Sequence, residues 1–172
     1  MGWPRESTTK SGTYHGGSGG YIYIKTTNIY GKHNNAESSD WIISASGGDG
    51  KENGFGGSGG IIIVDGNFGI SQTNYKAFGG RAGVDVENSS GCGTGAAGTI
   101  YFKQVDLLYI SNDNRITDKK TVVSAKIHPN SVYPTDNMVS KSLWIQDGAN
   151  VAIRNSNIDS IIFPLLRMEG FS

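Results

Sequence analysis

Gly16-Gly17-Ser18-Gly19-Gly20 runs directly into Tyr21-Ile22-Tyr23-Ile24, and 40 residues later Gly56-Gly57-Ser58-Gly59-Gly60 runs into Ile61-Ile62-Ile63-Val64. A weaker third copy, Gly95-Ala96-Ala97-Gly98 before Thr99-Ile100-Tyr101-Phe102, follows 38 residues further on. Between the copies stands a second signal, an alanine two residues ahead of a glycine pair, in Ala45-Ser46-Gly47-Gly48 and again in Ala77-Phe78-Gly79-Gly80. The unit reads as glycine entry, strand, variable turn, second strand and glycine loop. A period near 40 with one strand–loop–strand unit per repeat is the mark of an array in which each unit buries its apolar face against its neighbours. The strands after Gly20, Gly60 and Gly98 are therefore expected to lie side by side in one sheet.

Composition agrees with an all-β class. Isoleucine (18) and valine (9) far outnumber leucine (5), and β-branched side chains suit a pleated, half-buried surface better than a helix. No segment carries a sustained apolar stripe of helical period. Glycine makes up 26 of 172 residues, about twice the usual ~7%. The loops from Gly47 to Gly60 and from Gly79 to Gly98 are too long for ordinary hairpin turns. Two accounts of them are open. Glycine lets extended, polyproline-type segments lie with their backbones nearly touching and bond through the main chain; otherwise the loops are simply mobile. The expected fold is a glycine-rich β-solenoid or stacked β-sheet repeats with extended glycine loops. Its parts are an N-terminal extension over 1–15, the repeat region over 16–128, and further strands with an apolar C-terminal segment over 129–172.

The last two parts have their own punctuation. Asn112-Asp113-Asn114 is a turn signal, because Asn and Asp tolerate positive φ and bond their own backbone. Asp147-Gly148, between Ser142-Leu143-Trp144-Ile145 and Val151-Ala152-Ile153-Arg154, reads as a hairpin or a solenoid corner. Ile161, Ile162, Phe163, Leu165 and Leu166 form an apolar run with no polar cap in view, and are expected to make assembly contacts.

Charge excludes several partner classes. Basic and acidic residues balance at 15 each, leaving no electrostatic footprint for nucleic acid or anionic membrane. No apolar run is long enough to cross a bilayer. One cysteine, Cys92, cannot make a disulfide within the chain; it is either a packed thiol or a partner for a segment elsewhere. The opening Met1-Gly2-Trp3-Pro4-Arg5-Glu6 lacks the apolar stretch of a signal peptide, so a secreted protein would be represented here by a fragment.

Motifs that could carry chemistry fail in context. Ser18 and Ser58 each sit in a formal G-x-S-x-G, but a nucleophile elbow follows a strand and opens a helix, whereas both serines precede strands. Gly54-Phe55-Gly56-Gly57-Ser58-Gly59 matches a dinucleotide fingerprint whose working part is a helix N-terminus, and a strand follows instead. His15, His33 and His128 have no ligand spacing. Asp40, Asp49, Asp65 and Asp85 could bind calcium at corners, yet no EF-hand or nonapeptide array is present. An acid pair in a groove, for instance Asp106 with Asp147, is the one route to a polysaccharide-cleaving site. Tyr21, Tyr23, Trp41, Phe55, Phe78 and Trp144 would stack on sugars if exposed in a row, and otherwise are core. Asn88-Ser89-Ser90 is the N-glycosylation acceptor, with Asn88 the expected attachment point in a secreted chain. No catalytic residue, metal site or cofactor is expected.

Gly-Gly-Ser-Gly-Gly before a strand, Ser44-Ala45-Ser46-Gly47-Gly48-Asp49-Gly50, Gly95-Ala96-Ala97-Gly98-Thr99-Ile100-Tyr101 and the stretch from Asn112 to Thr121 together resemble the large glycine-rich surface proteins of plants, algae and protists. The likeness spans about Gly16 to Ile153, and its more telling part is Gly95 to Thr121 followed by Leu143-Trp144-Ile145. The resemblance implies a very long secreted or membrane-anchored chain of β-solenoid units with no established enzymatic activity. The resulting expectation is a non-catalytic structural module of an extracellular or cell-surface assembly: a filament, a coat or an adhesin stalk. Its partners would be copies of itself or other segments of a larger chain, with glycans as further candidates. A carbohydrate-binding or adhesive module is the alternative, followed by a polysaccharide-degrading β-helix.

Overall fold

A computed structural model describes residues 13–29, 43–68, 75–83, 93–124, 142–154 and 166–169. Ten strands follow in chain order: β1 (Tyr21–Ile29), β2 (Ile43–Ser44), β3 (Ile61–Phe68), β4 (Tyr75–Lys76), β5 (Thr99–Phe102), β6 (Leu107–Ser111), β7 (Thr121–Ser124), β8 (Ser142–Gln146), β9 (Val151–Arg154) and β10 (Leu166–Glu169). A 3-10 turn at Lys103–Val105 is the only helical element among the described residues. The protein is all-β.

Six strands form the main sheet in the order β1-β3-β5-β6-β8-β10, and β2-β4 and β7-β9 form two small sheets. The strands that follow Gly20, Gly60 and Gly98 are adjacent and parallel, in the register Tyr21↔Ile61↔Thr99 and Ile22↔Ile62↔Ile100. Their sequences report their positions. Interior strand β3 opens with the continuous apolar run Ile61-Ile62-Ile63-Val64, of which Ile62, Ile63 and Val64 are all buried, as a strand covered on both faces must be. On edge strand β1, half-buried Ile22 and Ile24 alternate with exposed Tyr21 and Tyr23, the period-two pattern of a strand with one wet face.

The sheets are mostly parallel but do not wind as a solenoid, in which successive coils keep neighbouring strands parallel. Here β5 and β6 pair antiparallel. The reversal is made by the 3-10 turn and by Asp106, which sits left-handed at φ 49°, ψ 43°, a conformation Asp tolerates better than most residues. Its carboxylate accepts a 2.6 Å hydrogen bond from the Tyr101 hydroxyl, fixing the corner, and β6 then runs parallel to β8.

Two cores lie on opposite faces of the main sheet. On one, Ile62, Val64, Ile100, Phe102 and Tyr109 pack with Ala45, Tyr75 and Ala77 from the β2-β4 side. On the other, Leu108, Ile110, Leu143 and Ile145 pack with Val123 and Ala149 from the β7-β9 side. Burying each large aliphatic chain contributes about 1.5–3 kcal/mol. Burial pushes the Tyr75, Tyr101 and Tyr109 phenols above their ordinary range, with Asp106 adding to the shift at Tyr101. A raised phenol favours the folded state below the unfolded pKa of about 10 and loses that contribution as pH rises through the folded value. Thermal unfolding is therefore expected to fall to lower temperature above about pH 10, with part of the phenolate absorbance appearing only as the chain unfolds. Titration of all tyrosines ahead of unfolding would contradict this.

Candidate functional site

The glycine segments 15–20, 45–50, 54–60, 77–83 and 93–98 are extended without joining any strand ladder, and they bond to one another through the main chain. Gly16 and Gly19 donate to the carbonyls of Phe55 and Ser58, Gly56 and Gly59 to those of Gly93 and Ala96, and Gly47 and Gly50 to those of Phe78 and Arg81. Each series advances by three residues. A three-residue period turns successive N–H and C=O groups in three directions around the segment, as in polyproline II, whereas a β-strand keeps them in one plane. Bonds therefore run between layers as well: Gly57 and Gly60 donate to Gly48 and Ala45, Gly80 and Gly83 to Gly57 and Gly54, and Gly95 and Gly98 to Gly80 and Ala77. Segment 54–60 lies at the centre, hydrogen-bonded to all four others. Of the two accounts of the loops, main-chain stacking is the one realised.

So close an approach leaves no room for side chains inside the lattice. A Cβ on Gly57 would stand 2.1 Å from the Gly17 carbonyl oxygen, and one on Gly80 1.9 Å from that of Gly48. The side chains of the residues that are not glycine leave the lattice, those of Ala45 and Ala77 entering one core and that of Ala97 the other, while several face solvent. The hydroxyls of Ser18 and Ser58 meet at 3.3 Å on the surface, and His15 stacks on Phe55 at 5.4 Å while its Nδ1 accepts from the Phe55 N–H.

At one side the lattice ends on side chains. Asn112, fully buried, accepts the Gly79 N–H on Oδ1 at 2.8 Å and donates from Nδ2 to the Arg115 carbonyl at 2.8 Å. Arg115 donates to the Gly79 carbonyl at 2.5 Å, with Asp113 and Asp49 beside its guanidinium and the Phe78 ring beneath it. The hydroxyls of Thr117 and Thr121 donate to the carbonyls of Thr94 and Ala97 at 2.8 and 2.6 Å. Asn112 stands where a further segment would place a carbonyl: Gly47 gives its N–H to the Phe78 backbone, and Gly79, two residues past Ala77 as Gly47 is past Ala45, gives its own to Asn112. The stretch 112–121 is a side-chain cap on this edge. It is held in turn by the left-handed residues Asp113 and Asn114 (φ 54° and 56°) and by the Asn114 N–H on the Asp147 carbonyl.

Neither a family model, nor a curated protein, nor a solved structure is similar to the chain. What the site can do rests on its own geometry.

The sequence candidates are dispersed. Asp106 precedes β6 and Asp147 follows β8, at opposite ends of a parallel pair. That places them roughly 15–20 Å apart, beyond the ~5–9.5 Å that glycoside cleavage uses. Asp147 instead accepts from Ser111 and Gln146. Asp49 accepts the Arg81 N–H at 2.7 Å. Asp65 binds the Lys103 ammonium and the Tyr23 hydroxyl, and the Lys103 hydrogen bond holds its pKa below the ordinary carboxylate value. Among the described residues no group of His, Cys, Asp and Glu is arranged to hold a metal. Tyr21 (52%) and Tyr23 (48%) are exposed on one face of β1, while Phe78 and Trp144 are half-buried beneath Arg115 and Arg167. Leu166 opens β10, its backbone paired with Leu143. Asn88, Cys92, Trp41, His33, His128, Asp40, Asp85, Ile161, Ile162, Phe163 and Leu165 lie outside the described residues.

Sequence reading missed the cap. Asn112-Asp113-Asn114 signals a turn, but the bond of Asn112 to Gly79 and those of Arg115, Thr117 and Thr121 reach backbone groups 23 to 36 residues away. No local pattern encodes those partners.

Proposed function

We propose that this chain is a non-catalytic structural module of an extracellular or cell-surface assembly, contributing a stiff repeat unit to a filament, coat or adhesin stalk. The observation that carries this reading is the glycine lattice: five segments joined in two directions by backbone bonds, in which polar groups serve cohesion and side chains are excluded. Such a block holds its shape without the disulfides that small secreted domains often require. Repeats of period near 40, stacked side by side, extend the same plan. The residues resembling large glycine-rich surface proteins point to the same location. Asn88 is the glycan attachment point in this proposal, and Ile161, Ile162, Phe163, Leu165 and Leu166 form a contact surface toward other segments of the assembly.

Labelling of intact source cells with a membrane-impermeant amine reagent, followed by peptide mass spectrometry, tests the location. Labelled lysines and a glycan on Asn88 are the expected result. A chain recovered unlabelled, and only after lysis, would overturn it. Turnover of any member of a polysaccharide panel by the purified protein would overturn the non-catalytic part.

An adhesive module is the second reading, favoured by the two exposed tyrosines on one face of β1. It predicts glycan-array binding that disappears in Tyr21→Ala with Tyr23→Ala.

A further inference from the structure

The glycine lattice has two layers, with 15–20, 54–60 and 93–98 in the first and 45–50 and 77–83 in the second. Segments of one layer run parallel, since the bonds from Gly16 to Phe55 and from Gly19 to Ser58 advance together, whereas bonds between layers, from Gly57 to Gly48 and from Gly60 to Ala45, run in opposite senses. The leading segments 15–20 and 45–50 lack part of this set. The N–H groups of Gly17 and Gly20 correspond to those of Gly57 and Gly60, which donate to second-layer carbonyls. The carbonyls of His15 and Ser18 correspond to those of Phe55 and Ser58, which accept from a first-layer segment. Those of Ser46 and Asp49 correspond to those of Phe78 and Arg81, which accept from a second-layer segment. None of these six groups has a partner among the described residues.

The missing partners belong to two segments. A second-layer segment ahead of 45–50 would supply carbonyls to Gly17 and Gly20 and donors to Ser46 and Asp49, and a first-layer segment ahead of 15–20 would supply donors to His15 and Ser18. The glycines mark the same two places. A Cβ on Gly57 would stand 2.1 Å from the Gly17 carbonyl oxygen and one on Gly80 1.9 Å from that of Gly48, yet Gly17 and Gly20 meet nothing described within 4 Å, and Gly48 meets nothing closer than 3.2 Å. A bare residue costs conformational entropy, and nothing described in this fold requires it at these three positions. Both sheets end on this side as well, β1 pairing only with β3 and β2 only with β4 among the described strands.

Resting on the structural-module reading, we propose that this edge docks a further glycine repeat of the same plan, carried by another polypeptide of the assembly and running in the same direction as 15–20 and 45–50. The trailing face of such a repeat presents second-layer carbonyls and N–H groups of both layers, the complement of the six open groups. A second copy of this chain does not supply them. Its carbonyls of the kind that Gly57 and Gly60 use, and its N–H groups of Gly16, Gly19, Gly47 and Gly50, are engaged within its own fold. Its trailing side is closed by Asn112, Thr117 and Thr121 and by antiparallel β6. Nor does the chain ahead of the edge repeat the plan, since Met1 to Gly12 holds only Gly2 and Gly12 as glycine. The module is thus the finishing unit of a stacked array, capped on one side and open on the other, as the terminal repeat of such an array is.

The probe is a copy of residues 15–54 inserted between Tyr14 and His15, which keeps the 40-residue register of Gly16 with Gly56. The expected result is a monomer in which the downstream Gly17 and Gly20 amides exchange on the order of a hundredfold more slowly than in the unmodified chain. Gly17→Val with Gly20→Val in the downstream copy should abolish that protection, while the same pair leaves the unmodified chain folded, since nothing described occupies the space. A second probe carries residues 55–92 at the same place; if neither lengthened chain folds, the edge does not accept a repeat and the proposal falls. It falls too if the downstream amides exchange as fast as before, or if the unmodified chain dimerises in sedimentation with Gly17 and Gly20 protected. In native material, cross-links from exposed Lys25 on β1 should reach peptides of a different glycine-rich polypeptide, and cross-links confined to this chain overturn the proposal. The structural-module reading fails separately, through Gly57 and Gly60 amides that exchange as fast as Gly17 in the unmodified chain.

Discussion

Gly57→Ala is expected to remove at least about 3 kcal/mol of stability, lowering the melting temperature by about 6–12 °C in a chain of this size. Gly57 bonds to two other segments at once, its N–H to the Gly48 carbonyl at 2.9 Å and its own carbonyl to the Gly80 N–H at 2.8 Å. The added methyl would meet the Gly17 carbonyl oxygen at 2.1 Å, about half a normal contact distance. A side chain can rotate away from such a clash, but a backbone carbonyl inside a bonded array can move only by breaking its neighbours' bonds. The cost therefore exceeds the usual 1–3 kcal/mol of an overpacked core. The control is Gly17→Ala in dilute solution, which meets nothing described within 4 Å. It is expected to change stability by less than about 0.5 kcal/mol. Denaturant or thermal melts of the two variants distinguish a lattice from mobile loops, since mobile loops would tolerate both changes alike.

The repeat and the class are legible because they rest on local signals. A glycine cluster ahead of a β-branched run marks strand entry, and its recurrence at 40 and 38 residues places Tyr21, Ile61 and Thr99 in register. The antiparallel turn between β5 and β6 is not legible in the same way. Phe102-Lys103-Gln104-Val105-Asp106-Leu107 contains no glycine or proline and continues the alternation, so it reads as strand. The reversal depends on Asp106 adopting a left-handed conformation that its bond from Tyr101 supports. That choice, together with the pairing of β6 with β8, separates the observed sheet from a solenoid.

The candidate site divides along the same line. Glycine spacing alone suffices to suggest backbones in contact, because few other arrangements require so many bare residues. It does not reveal which side of the array is finished. The cap consists of side chains bonding to backbone 23 to 36 residues away, and Asn, Arg and Thr in a polar stretch have the same composition as a solvated loop. Only the burial of Asn112 separates the two, and burial is a tertiary property.

Asn112→Leu isolates that property and carries the second large effect. Leucine has the same branched four-heavy-atom outline as asparagine, so the pocket stays filled while both hydrogen bonds disappear. The Gly79 N–H and the Arg115 carbonyl then lose the partners they have at 2.8 Å each. A buried polar group left unsatisfied costs about 1–3 kcal/mol, so the pair is expected to cost about 2–6 kcal/mol. Thr117→Val and Thr121→Val each remove a donor from a carbonyl that keeps a second lone pair, and should cost about 1 kcal/mol. The ordering matters more than the sizes. If 112–121 finishes the lattice, Asn112→Leu destabilises most, and the Gly79 amide gains exchange rate beyond what the global loss explains, because Asn112 was its acceptor. If the stretch is only a surface turn, all three substitutions fall within about 0.5 kcal/mol of wild type, and Gly79 exchanges as before. Denaturation of the three variants, with amide exchange at Gly79, decides between a cap and a turn.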